Sequence, residues 1–401
     1  MREKLNIAYQ KINMFCMRPI FKERKTTLFL WIILALIGML KLYKDNNFKV
    51  FRGVFWHTIN GTPLYAAYPK EYFDYNYYGP IFSMVVAPFA LLPEWAGLLF
   101  WLVFLSMWLY WVIWKSTLTD HQKNFIYWFC APILLDALFM QQFNVAIAAI
   151  IVSSFFLIEK EKDGWAALFI VLGTMTKIYG VMGLAFFFFS KHKGRFILSL
   201  VFWTSILFVL PMLISSPEYV IQQYQDWLPS LVNKNGLNTD SIYQNVSLLG
   251  MARRISGNDS YSDLWLVIPG MLMFLLPYLR FKQIKNLAFR ETILASTLMF
   301  TILFSTGSES SGYIIAMTGV CIWYTVSPWK RDKWDLALMI FVFIITGMGN
   351  SDILPRIVRK GLIQPYALRA LPVSIVWFKL CYELYTKDYA RLSHNGIDNV
   401  N

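Results

Sequence analysis

Residues 95–114 read WAGLLFWLVFLSMWLYWVIW, an unbroken run without a single charged side chain. A helix rises about 1.5 Å per residue, so about 20 such residues cross a hydrocarbon layer about 30 Å thick. Residues 196–217 and 310–329 are equally free of Asp, Glu, Lys and Arg. Working outward, the 401-residue chain is 57% apolar and only 15% charged. The pattern predicts an all-α polytopic integral membrane protein with about 11–13 helices. Without a long soluble region there is no room for a separate catalytic domain, so any site must be assembled from loops and helix ends.

The net charge of +13 is distributed in short clusters between apolar runs. That is a topology signal and not a basic groove, and nucleic acid is not an expected partner. Cys16, Cys130, Cys321 and Cys381 have no metal-ligand spacing, and the last three sit in apolar runs, so they read as packing residues. No metal and no cofactor is expected.

Arg2, Lys4, Lys11, Arg18, Lys22, Arg24 and Lys25 outweigh Glu3 and Glu23, which places residues 1–25 in the cytoplasm ahead of a signal-anchor span. Basic clusters at 159–164, 191–195, 280–291 and 329–335 are cytoplasmic by the same rule, and 383–401 form a cytoplasmic tail. A single membrane domain then covers 26–382, with outer loops at about 44–78, 215–263 and 350–361 and an outer turn at 307–312. Five apolar segments precede Glu159 (28–43, 79–92, 95–114, 125–140 and 144–158), where an even number of crossings is required. Residues 79–92, shortest and interrupted by Pro80 and Pro88, are expected to form a partial or re-entrant helix. Residues 165–176 and 178–190 are expected to form a hairpin of two short helices, with Lys177 at its turn. A lysine at membrane depth costs roughly 2.5–3.5 kcal/mol unless it has a partner. Snorkelling to the outer interface is one explanation, and a phosphate partner the other.

The outer segments carry cations that topology does not call for: Lys44, Lys49, Arg52, Lys70, Arg253, Arg254, Arg356, Arg359 and Lys360, with Arg369 just inside the last span. Arg356, Arg359 and Lys360 are spaced to share a helix face, and guanidinium groups suit a phosphate ester. Contact with anionic lipid headgroups is the plainer alternative. The loop 215–263 mixes Tyr219, Tyr224, Trp227 and Tyr243 with Gln222, Gln223, Asn238, Gln244 and Asn245. Flat rings beside amides are suited to stacking on a sugar and bonding its hydroxyls, although an interfacial aromatic belt accounts for the rings alone. Asn245-Val246-Ser247 also fits the N-glycosylation pattern.

Several of these residues fall into a familiar order. Gly61-Thr62-Pro63-Leu64-Tyr65, then Tyr77-Tyr78-Gly79-Pro80-Ile81-Phe82, then Ala87-Pro88-Phe89-Ala90-Leu91-Leu92-Pro93 resemble the N-terminal signature of glycosyltransferase family 87, the bacterial polyprenyl-phosphate-mannose-dependent mannosyltransferases of GT-C fold. Gln142-Phe143-Asn144, Thr176-Lys177-Ile178-Tyr179 and Asn245-Val246-Ser247-Leu248 with Arg253 are similar to further elements of that family.

The resemblance implies an enzyme of the bacterial inner membrane. It would move one hexose, mannose being the family's sugar, from polyprenyl phosphate to a lipid- or glycan-linked acceptor hydroxyl outside the cytoplasm. The family's acid lies in the first outer loop, where this chain reads Lys44-Asp45-Asn46-Asn47-Phe48, with asparagine in the aligned region. Asp45 after a short shift, or Asp74, is the candidate base, since the reaction needs one carboxylate to accept the acceptor's proton. Lys177, Arg356, Arg359 and Arg253 are the candidate phosphate ligands. Tyr78, Gln142, Asn144, Tyr243, Asn245 and Glu309 are the candidate sugar and acceptor contacts, with His57 a possible assistant. A polysaccharide polymerase or ligase, or a lipid-linked sugar transporter, shares the many spans. A transporter would show inverted repeats, which are not evident here.

Overall fold

A computed structural model describes residues 19–42, 44, 46–239, 241, 243–258 and 260–390. Asp45, one of the two candidate bases, lies outside the described residues. Every regular element among the described residues is helical. Two stretches are long and apolar enough to cross a membrane by length and composition, Glu94–Lys115 and Lys193–Leu213. Shorter apolar helices span Asn144–Glu159, Asp163–Thr176, Ile178–Phe189 and Leu264–Leu279.

The helices begin and end where local chemistry allows. Helix α1 (Arg24–Gly38) is followed by α2 (Asn47–Asn60), which stops at Gly61 in the left-handed region, φ 65°. Helix α3 (Phe82–Ala90) has nine residues, begins after Pro80 and runs unbroken through Pro88, so residues 79–92 form a short helix, as expected, but without a break at Pro88. Helix α4 (Glu94–Lys115) has Glu94 in its first turn and Lys115 in its last, each complementary to the helix dipole. A Thr119/Gln122 capping box starts α5 (Asp120–Phe139).

The core is built on α6 (Asn144–Glu159), in which 14 of the 16 residues are buried. Around it pack α7 (Asp163–Thr176), α8 (Leu287–Leu303) and α9 (Tyr313–Thr325), the last two buried along nearly their whole length. Their sequences carry almost no polar stripe, which is the signature of a helix enclosed on all sides. At the periphery, Lys193–Leu213 leaves Leu198, Val201, Phe202, Ile206 and Val209 exposed, and the separate helix Leu264–Leu279 leaves Leu264, Trp265, Ile268 and Leu272 exposed. An apolar surface of that extent is suited to hydrocarbon surroundings.

The expected hairpin around Lys177 is present: α7, then Lys177 in extended conformation, then a 3-10 segment, Ile178–Phe189. Its two legs touch at Gly173 and Gly180, where a Cβ on Gly180 would lie 2.2 Å from the Gly173 carbonyl carbon. Several charged side chains inside the structure are paired, whereas Asp163, 1% exposed, has no hydrogen-bond partner among the described residues. Arg290 grips Glu159 through Nε and Nη2 at 2.7 and 2.6 Å, and Glu383 accepts from Arg331 Nη1 and Trp323 Nε1. Cys130 and Cys321 are buried with their sulfurs 3.8 Å apart, and Cys381 is buried as well.

Candidate active site

The site starts from the turn 76–80. Asn76 closes it on both sides, accepting from Tyr78 N at 2.9 Å and donating Nδ2 to Tyr78 O at 3.1 Å. Gly79 N donates to Thr176 O, and a Cβ on Gly79 would lie 1.9 Å from Met175 O, so only glycine lets the turn reach the end of α7. The contact brings Tyr78 beside Lys177, whose Nζ lies 5.6 Å from the Tyr78 ring and 5.4 Å from the Tyr179 ring.

From there a polar relay crosses the bundle. The Tyr78 hydroxyl donates to Gln142 Oε1 at 3.0 Å, and Gln142 Nε2 donates to Glu309 Oε2 at 3.3 Å. Lys177 Nζ donates to Asn144 Oδ1 at 2.8 Å, and Asn144 Nδ2 donates to Ser311 Oγ at 3.0 Å. The Gln142 and Asn144 side chains thus orient the acid and the cation that follow them. Gln141 just before has φ 54°, a left-handed kink that ends α5 and lets this strip face inward.

These groups open onto a cavity of about 390 Å³, whose polar lining includes Asp74, Tyr77, Tyr78, Gln142, Lys177, Tyr179, Lys234, Asn235, Asn238, Gln244 and Glu309. Among the described residues, two carboxylates and two ammonium groups therefore share one enclosure. Lys234 Nζ stands 4.6 Å from the Tyr77 ring. Burial, with the Asp74 charge adding to it, pushes the Tyr77 phenol up to about 12, so it keeps its proton and donates at neutral pH. Asn238 Oδ1 and Gln244 Oε1 are buried acceptors without a partner among the described residues. A buried acceptor left unmade costs about 1–3 kcal/mol, and a hydroxyl-rich guest would satisfy both.

Of the residues singled out from sequence, Asp74, Tyr78, Gln142, Lys177 and Glu309 line this cavity, and Asn144 lies one hydrogen bond beyond it. Tyr243 faces an adjoining cavity of about 250 Å³, which shares Gln244 and Glu309 with the first and also meets Asn350, Gln364 and Arg369. Asn245 is in neither lining. It is buried at φ 51° and accepts from Ser247 Oγ at 2.7 Å, and Ser247 in turn caps the helix Leu248–Ser256. Both residues are fully buried, which closes the glycosylation pattern to any enzyme in the folded chain.

The arginines are not brought to the cavity. Arg253 donates to Asp263 Oδ1 at 2.7 Å and to Tyr261 O at 3.2 Å. Arg359 donates to Asn350 O at 3.1 Å and Asp352 Oδ1 at 2.5 Å, and Arg356 is exposed. His57 is also elsewhere: buried against Tyr68, with Nε2 3.1 Å from Glu71 Oε2 and burial drawing its pKa down. Lys234 was absent from the cations singled out, although it is the lone lysine in 215–263. A lysine amid Tyr, Trp, Asn and Gln was the available signal.

Glycosyltransferase family 87 matches residues 76–306, more than half of the 401. The chain belongs to glycosyltransferase family 87. Among curated proteins none matches it. Membership makes the protein a membrane glycosyltransferase, with a sugar donor and an acceptor as its substrates. The family match starts two residues after Asp74 and ends three before Glu309, so both cavity carboxylates flank it. Family membership therefore bears on the lysine-bearing walls, from Tyr77 to Ser305, and leaves the two acids to be judged on geometry.

Proposed function

We propose that the chain transfers a single hexose from a polyprenyl-phosphate donor to a lipid- or glycan-linked acceptor hydroxyl, on the outer side of a bacterial inner membrane. The observation that carries this reading is the one enclosure shared by Lys177, Lys234, Asp74 and Glu309. A phosphate leaving group needs cations, and an attacking hydroxyl needs a carboxylate. The GT-C arrangement and the lipid tail lying between helices follow from the same reading.

In the proposed step Asp74 accepts the acceptor's hydroxyl proton as that oxygen bonds to the anomeric carbon. The bond from the anomeric carbon to the phosphate oxygen breaks, and its electron pair leaves on polyprenyl phosphate, neutralised by Lys177 and Lys234. One displacement inverts the anomeric centre. Glu309, fixed by Gln142, and the open acceptors of Asn238 and Gln244 hold sugar hydroxyls. Lys177 and Lys234 replace the arginines as phosphate ligands in this scheme, because Arg253 and Arg359 are engaged by carboxylates of the protein.

The test is transfer by the purified protein in lipid, offered a panel of polyprenyl-phosphate hexoses and membrane acceptors, with the product linkage read by NMR. A product of inverted anomeric configuration from a monophosphate donor supports the reading. Turnover only with an oligosaccharide on a pyrophosphate lipid would replace it with a polymerase or ligase.

A further inference from the structure

A separate concavity of about 220 Å³ is lined by Lys44, Asn46, Lys49, Lys70, Glu71 and Phe73 among others. Consecutive residues divide between it and the large cavity: Asn46 and Phe73 face the small one, Asn47 and Asp74 the large one. Among the described residues three lysines stand against one carboxylate there, and Glu71 is already engaged by His57 Nε2 at 3.1 Å.

Two further observations point to an anion. Asn46 is the residue before the 14-residue helix α2, whose amino end carries the positive pole of its dipole, and its side chain makes no capping bond to that helix. Asn46 is only 7% exposed. Its Oδ1 accepts from Phe73 N at 3.3 Å, yet its Nδ2 has no partner among the described residues. A buried amide donor left open in a lysine-lined concavity is a poor arrangement for an empty surface and a good one for an oxyanion. Three ammonium groups on separate, flexible stems can each meet a different oxygen, which suits a tetrahedral group with several acceptor oxygens better than a planar carboxylate.

We propose that this concavity binds a phosphate group, at a site separate from the 390 Å³ cavity and adjacent to the segment that carries Asp74. Binding of phosphate requires no sugar transfer, so this inference stands or falls independently of the proposed reaction. The phosphate comes either from a lipid headgroup or from a free anion, and one experiment has an arm for each. Inorganic phosphate is titrated into the full chain in neutral detergent by calorimetry. In parallel, the chain is floated with vesicles of phosphatidylcholine with and without phosphatidylglycerol.

Saturable binding is expected in at least one arm. It should weaken about 10²- to 10⁴-fold in Lys49→Gln/Lys70→Gln, the loss of two charge-assisted hydrogen bonds. Asn46→Asp, which sets a buried negative charge where the open donor is, should abolish it. The exposed pair Lys282→Gln/Lys285→Gln removes the same charge elsewhere and should leave binding unchanged. A response to inorganic phosphate assigns a free anion; a response confined to phosphatidylglycerol vesicles assigns a headgroup. No saturable binding in either arm, or an equal loss in the control pair, overturns the site. The lysine variants decide the matter even where Asn46→Asp does not fold.

Discussion

Lys177 and Lys234 face the 390 Å³ cavity, whereas Arg253, Arg254, Arg359 and Arg369 direct their guanidinium hydrogens at the protein itself. Arg254 holds the carbonyls of Ser241, Gln244 and Gln364, and Arg369 donates Nε and Nη2 to Thr346 O and Nη1 to Asp136 Oδ2. The chemistry of the two side chains explains the division. Guanidinium offers five donors in a fixed plane and suits a loop whose carbonyls need several partners at once. Ammonium is a compact charge on a flexible stem, free to follow a phosphate as it leaves. On this chain, a count of outer arginines reports how the loops are held more than what they bind.

The comparison can be broken most severely at the acid beside the lysines. Asp74→Asn keeps shape but cannot take a proton, and transfer is expected to fall about 10²- to 10⁴-fold, measured as kcat on a defined donor. Donor KM should change little. Wild-type turnover would remove Asp74 from the mechanism and return the base to Asp45 or Glu309.

Next in size is the buried staple. Arg369 is 2% exposed and its partner Asp136 19%, so Arg369→Met leaves a largely buried carboxylate without its cation and with the Asn350 amide as its remaining side-chain donor. A loss of about 3–5 kcal/mol is expected when one partner of a buried pair is removed, and the readout is the thermal midpoint. Arg369→Met/Asp136→Leu should recover much of it. If the single variant keeps its midpoint but loses activity, Arg369 belongs with the cavity groups instead, for it also borders the smaller cavity.

Lys177→Gln is expected to raise donor KM about tenfold to a hundredfold, the range for a lost charge-assisted hydrogen bond. Lys234→Gln should do less, because Lys234 sits over the Tyr77 ring and, among the described residues, is not held by an amide as Lys177 is by Asn144. Equal effects would show that the phosphate lies midway between them.

How much of this was readable beforehand differs between the two regions for physical reasons. Charge-free runs mark buried or lipid-facing helices wherever they occur, so the all-helical fold, the short helix within residues 79–92 and the hairpin at Lys177 followed from residue order, whereas the break expected at Pro88 is absent. Asp74, Tyr78, Gln142 and Glu309 also emerged, because polar groups at the ends of apolar runs have few places to go. The fate of the arginines did not. Whether Arg253 meets a phosphate or Asp263 depends on where a loop ten residues later returns, and that is set by tertiary packing. Lys234 was hidden for the converse reason: it lies on the long helix Pro217–Thr239, and only the fold turns that face of the helix over the cavity.

The smallest expected effect is the one that sharpens the comparison most. Arg359 Nη1 meets Asp352, whose side chain is 95% exposed, and it also holds Asn350 O. Exposed ion pairs contribute about 0–1 kcal/mol, because water screens the attraction and two long side chains must be fixed to make it. Arg359→Lys should therefore leave donor KM within about threefold of wild type, and Arg359→Ala should cost little more than the bond to Asn350. A phosphate ligand would behave differently, since a point charge does not reproduce a bidentate fork and the lysine variant alone would weaken donor use. The measurement is the donor KM of Arg359→Lys beside that of Lys177→Gln in the same preparation. A large rise for the arginine variant and none for the lysine variant would reverse the division between the two sets of cations.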